Sequence, residues 1–129
     1  MAAGAAKERK LKFLCLGYLN EAAFSAVPES ARAEILKTCF AQCVPFRATG
    51  MVAAEEGLLA SNTAKTIKQR GGKTTVTDGP FLDTKEQIGS FFIIEADTLE
   101  QAIEAASLHP AALMGEEYGF GIELRQIQE

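Results

Sequence analysis

The chain has 129 residues, of which 47% are hydrophobic and 23% charged. That is the size of one domain, read as a single unit over residues 11–129, and the apolar content excludes wholesale disorder. No apolar stretch approaches the roughly 18–20 residues of a membrane span. The formal net charge of −4, from 17 Asp+Glu against 13 Lys+Arg, argues against nucleic acid as the main partner. One histidine and three cysteines exclude a zinc-finger-like scaffold, and nothing in the pattern calls for a bound metal or cofactor.

Residues 1–6 are small and weakly polar and lack the apolar core of a secretory signal. Residues 1–10 are therefore expected to be a flexible terminus, on a cytoplasmic protein. Residues 11–19 read as a strand with Phe13 and Cys15 on one face and Leu14 and Leu16 on the other. Pro28 and Glu29 mark a helix start. Ile35, Leu36, Cys39, Phe40, Cys43 and Val44 then recur at helical spacing, and Gly50 is placed to act as a left-handed cap. Pro45 is expected to kink or shorten the last turn, because it removes a backbone donor. The odd cysteine count (Cys15, Cys39, Cys43) fits a reducing compartment. Cys39 and Cys43 share a helix face and read as core-facing thiols, with a metal or redox pair as the sharper alternative.

Residues 51–59 read as a second strand. Residues 63–70 and 73–77 flank Gly71-Gly72, the strongest hairpin signal in the chain. Residues 89–96 form a strand apolar on both faces through Phe91, Phe92, Ile93 and Ile94. Residues 97–108 read as a helix, with Asp97 and Glu100 as a capping box and Leu99, Ala102, Ile103 and Ala106 as its buried stripe. Pro110 stops it, and Gly115, Gly119 and Gly121 lead into a last strand at 120–128. The fold class is therefore α+β: a ferredoxin-like split β-α-β sheet with an inserted β-hairpin. Two helices cover only one face of such a sheet. The second apolar face needs a cover, and two sheets stacked across a twofold axis supply it, so a homodimer is expected.

Residues 77–81 (Thr-Asp-Gly-Pro-Phe), running on through Asp83-Thr84-Lys85-Glu86-Gln87-Ile88-Gly89, resemble the signature of the YCII-related (DGPF) family. Ser107-Leu108-His109-Pro110 and the run from Gly119 to Arg125 resemble that family's C-terminal pattern. The resemblance covers nearly the whole chain beyond the first ten residues, and it implies a dimeric α+β barrel. Some members are held to use a His–Asp dyad; here the corresponding region offers Cys39 and Ala48 ahead of Gly50, so the dyad is missing. The resemblance also implies a regulatory context beside extracytoplasmic-function sigma factors.

Within the signature (Asp78, Gly79, Pro80, Phe81), Asp78 reads first as an Asx turn whose carboxylate bonds a backbone N–H two residues on. Gly79 supplies unusual torsions and Pro80 fixes the next one. The functional alternative makes Asp78 a general base or ligand acceptor. His109, the only histidine, reads as a helix C-cap or as an acid/base or hydrogen-bond donor facing a pocket. Glu86 reads as a solvated loop residue or a cleft acceptor. Glu123 and Arg125 share one face of the last strand and are paired, line a polar cavity, or sit at an exposed margin. Lys65, Lys68, Arg70 and Lys73 make the hairpin basic, which protects an exposed edge, with an anionic ligand or RNA as the sharper alternative.

The expected function is a small dimeric protein that binds a small molecule in a cleft lined by Asp78, Glu86, His109, Glu123 and Arg125. The alternatives are a cofactor-independent enzyme moving a proton with Asp78 or His109, and an interaction module serving a transcription regulator.

Overall fold

The computed structural model describes residues 11–114 and 116–129. The terminus expected over residues 1–10, and Gly115, lie outside the described residues.

Two long strands organise the molecule. β1 (Leu11–Asn20) pairs antiparallel with β5 (Glu86–Ala96), setting Phe13 opposite Ile94 and Cys15 opposite Phe92. β2 (Val52–Gly57) adds to the free edge of β5, and β6 (Gly121–Gln126) to the free edge of β1. The sheet order is β2-β5-β1-β6, an antiparallel arrangement compatible with a ferredoxin-like fold. Between β2 and β5, β3 (Lys65–Arg70) and β4 (Lys73–Asp78) form a separate two-stranded ribbon. Gly71 and Gly72 close it at φ of 59° and 78°, torsions that only glycine adopts freely.

The alternation along β1 and β5 sorts the core. Phe13, Cys15, Phe92, Ile94 and Ala96 point to one face and are fully buried there with Phe46, Ala102, Ala105 and Ala106. Leu14, Leu16, Tyr18, Phe91 and Ile93 point to the other face and are only half-buried. Charged pairs flank that second face: Lys12–Glu95 at 3.7 Å and Arg125–Glu123 at 2.8 Å.

Among the described residues there are four α-helices: α1 (Glu21–Ser25), α2 (Glu29–Ala48), α3 (Leu99–Ala106) and α4 (Pro110–Leu113). The short α1 is not marked by periodicity. It starts because the Asn20 side chain accepts the Ala23 N–H at 3.0 Å. α2 runs through Pro45 without ending, to Thr49 and a Gly50 at φ 72°. The capping box of α3 lies one residue later than Asp97/Glu100. Thr98 Oγ1 accepts the Gln101 N–H at 3.1 Å, and Gln101 Oε1 takes the Asp97 N–H at 2.9 Å. The buried stripe shifts with it: Ala102, Ala105 and Ala106 are buried, whereas Leu99 and Ile103 are exposed. β2 ends at Gly57, short of residue 59, and the chain turns away after the Leu58 N–H donates to Gly89 O at 2.9 Å.

Candidate functional site

Where β1 ends, the ladder changes step. Gly17 faces Ser90 and Tyr18 faces Ile88, so Gly89 is an extra residue on β5, a β-bulge. A bulge bends its strand and deepens the local twist. Space is tight at this step: a Cβ on Gly17 would sit 2.4 Å from Ser90 Oγ, and one on Gly89 2.5 Å from Leu19 Cδ2, so a larger residue at either would push that side chain aside.

Above this bent floor lies a cleft of about 820 Å³, within the range of small-molecule sites. α2 forms one wall with Leu36, Cys39, Phe40 and Cys43; Leu58 and Leu59 beyond β2 form another; Phe24 and Phe120 stand at the far end. The mouth is strongly apolar, with Phe40 69% and Leu59 80% exposed. The loop after β2 is tied down by Glu21, whose carboxylate accepts the Ser61 N–H at 2.8 Å and the Ser61 hydroxyl.

A small polar group sits in this apolar setting. Arg47 at the end of α2 forms an ion pair with Glu55 of β2 through its Nε, and both line the cleft with Ser90 and His109. His109 is neither a C-cap of α3 nor a free imidazole. It is the N-cap of α4: its Nδ1 accepts the Ala111 N–H at 3.0 Å. Its ring stacks on Phe92 (centroids 4.6 Å apart, planes 23° apart) and meets Phe46 edge-on at 4.9 Å. Burial against these rings pushes its pKa below 6.5; the Glu55 carboxylate opposes that shift and Arg47 reinforces it. The imidazole is therefore neutral at pH 7, and with Nδ1 accepting, its proton sits on Nε2. In this state the ring offers one hydrogen-bond donor and no free base.

The thiols occupy an unexpected place. Cys15 is the core thiol, its pKa pushed up to about 12 by burial. Cys39 and Cys43 instead line the cleft half-exposed, with Cys39 Sγ 3.6 Å from Met114 Sδ. Desolvation raises both thiol pKa values, so neither is primed as a nucleophile. No cluster of three or more His, Cys, Asp or Glu suited to a metal occurs among the described residues.

Of the five residues expected to line one cleft, the structure brings His109 alone to this one. Asp78 lies exposed at the end of β4 and pairs with Lys65 Nζ at 2.5 Å. The Asx turn expected there does not form, since the residue two positions on is Pro80, which has no N–H to give. The exit from the ribbon is made by Gly79 at φ 103°, whose N–H donates to Ala64 O at 2.7 Å and whose carbonyl accepts the Thr66 hydroxyl at 2.8 Å. Glu86 starts β5, exposed, opposite Asn20. Glu123 and Arg125 bond each other on the second face of the sheet, where Tyr18 Oη also reaches Glu123 at 3.4 Å. Arg47, Glu55 and Ser90 also line the cleft, although no sequence pattern singles them out. The signal available for them was weak: a Gly-Ser step just before a strand apolar on both faces, and a helix whose apolar residues exceed what one buried face requires.

Comparisons with known proteins agree with the signature. The family model described as the YCII-related domain matches residues 11–119. An uncharacterized protein of Rhizobium meliloti (strain 1021) is 28% identical over 94 residues, covering 73% of this chain and 76% of that protein.

Proposed function

The chain belongs to the YCII-related domain family, and from that premise we propose that it is a homodimeric binding protein that takes a small, largely apolar molecule into the α2 cleft. One observation carries this reading: a cleft of about 820 Å³ whose apolar walls converge on a compact polar group, Ser90, His109 and the Arg47–Glu55 pair. Leu36, Phe40 and Leu59 grip the apolar body of the ligand. The Nε2–H of His109 and the Ser90 hydroxyl meet an acceptor on its head, such as a carbonyl or carboxylate oxygen.

The pairing of two copies uses the second sheet face. Leu14, Leu16, Phe91 and Ile93 are half-buried and need an apolar cover, and the charged pairs Lys12–Glu95 and Arg125–Glu123 sit at the margin, as in a polar rim. This would complete a dimeric α+β barrel. The regulatory setting beside a sigma factor rests on the family resemblance alone. The acid/base enzyme is the weaker reading: Asp78 lies outside the cleft, and His109 holds its lone pair on Ala111.

The test is a thermal-shift screen of small carboxylates and carbonyl compounds, with 8-anilinonaphthalene sulfonate as a displaceable probe. Hits should stabilise the wild type and lose their effect in both Phe40→Ser and His109→Gln. Shifts that persist in both variants would remove the ligand from this cleft. Light scattering at micromolar concentration should give a dimer mass.

A further inference from the structure

The three cysteines divide by position. Cys15 is fully buried in the core, whereas Cys39 and Cys43 stand half-exposed on the cleft wall. A structural cysteine is ordinarily a buried apolar filler, so two thiols held at an open surface call for another account. They lie one turn apart on α2, a spacing that sets Cβ atoms about 5–6 Å from each other, and Cys43 acts electrostatically on Cys39.

A third sulfur arrives from a distant part of the chain. Met114, just past α4, places its Sδ 3.6 Å from Cys39 Sγ. Two sulfurs bound about 2.3 Å from one metal ion, in a trigonal or tetrahedral arrangement, stand roughly 3.5–4.0 Å apart. The observed separation therefore already suits two donors to one ion. Rotation about χ1 turns the Cys43 sulfur along the same helix face, and the thioether has three rotatable bonds with which to adjust.

The donor set selects the ion. Zinc favours four ligands drawn from thiolate, imidazole and carboxylate, and no such third group clusters with the two thiols among the described residues. The Glu55 carboxylate, which acts on Cys43, is engaged by Arg47. Two thiolates and a thioether make a soft set, which suits monovalent copper. The open cleft gives the ion its path of entry.

We propose that Cys39, Cys43 and Met114 form a three-sulfur site for monovalent copper on the α2 wall of the cleft. On binding, each thiol releases a proton to solvent, two bonds form from copper to the thiolates and a third to Met114 Sδ; copper stays monovalent and no electron is transferred. The site goes beyond the binding reading and does not require it, because copper uptake is read without any organic ligand.

Titration of the reduced protein with a Cu(I)–acetonitrile complex under nitrogen tests it, with native mass spectrometry for stoichiometry and bicinchoninate competition for relative affinity. Wild type should take up one copper per chain. Met114→Leu, which keeps volume and apolar character, should weaken binding at least tenfold. Cys39→Ser/Cys43→Ser, which retains Cys15, should lose it; circular dichroism checks that both variants are folded. Copper uptake unchanged in Met114→Leu, or retained in the double variant, would overturn the proposal. So would one copper held between two chains, no uptake by wild type, or Zn(II) bound as tightly as Cu(I).

Discussion

Two helices lie on the same face of the sheet and treat it in opposite ways. α3 has 8 residues and buries three alanines; α2 has 20 and buries only Phe46 completely. Alanine has no bulk beyond Cβ, so α3 settles close to β5 with Ala102, Ala105 and Ala106 buried. Along α2, Leu36, Phe40 and Val44 recur at four-residue spacing yet are exposed, while Phe46 alone, edge-on to Phe92 at 4.9 Å, pins the C-terminal turns. The helix is held at one end and open along the rest, and the cleft is the space left by that difference. Packing density, more than any reactive group, divides the molecule into a sealed half and an open half.

Substitutions can break this contrast, and the largest effect is expected at its pivot. Phe46→Ala removes the one buried anchor of α2 and should cost about 3–5 kcal/mol, read by urea denaturation. Ala102→Leu overpacks the sealed side and should cost about 1–3 kcal/mol. On the open side, Phe40→Ser should change stability by no more than about 0.5 kcal/mol while abolishing probe binding. A Phe40→Ser loss as large as that of Ala102→Leu would mean that the cleft wall is part of the core.

His109 gives a pH test of the boundary between the halves. Its folded pKa lies below 6.5 because burial disfavours the imidazolium. The unfolded chain therefore binds the proton first as pH falls, and folding stability is fully present above about 6.5 and lost progressively down to the folded pKa. His109→Gln should remove that part of the slope between pH 7 and 5. The smallest effect concerns the thiols. A maleimide should label Cys39 and Cys43 slowly at pH 7 and leave Cys15, with its pKa near 12, untouched until unfolding.

Much of the fold was legible because it depends on local patterns. Phe91 to Ile94 announced a strand apolar on both faces, and Gly71-Gly72 a turn. The start of α3 slipped by one residue because Asp97 and Thr98 are both good caps, and the choice follows from which residue the sheet delivers to the helix axis. The site was less legible. Ser90, Glu55, Arg47 and His109 lie on four different elements, and no spacing in the chain relates them. Asp78, Glu86, His109, Glu123 and Arg125 share only that they are polar within apolar or signature-bearing segments. Strand alternation sends Glu123 and Arg125 to the far face of the sheet, and Asp78 follows the ribbon away from it.

The signature Asp-Gly-Pro-Phe sits at the root of the ribbon, where Gly79 and Ala64 are joined by a 2.7 Å hydrogen bond. It works there as a joint. The same economy applies to the floor of the cleft, where one inserted glycine on β5 bends the sheet and holds Leu58 by its carbonyl. Cleft depth is thereby tied to the length of a strand. Relatives with one residue fewer between Glu86 and Ser90 should have a regular ladder and a shallower floor, whatever residues they carry around it. Comparing strand lengths should then sort relatives by the depth of this cleft before any of their side chains is considered.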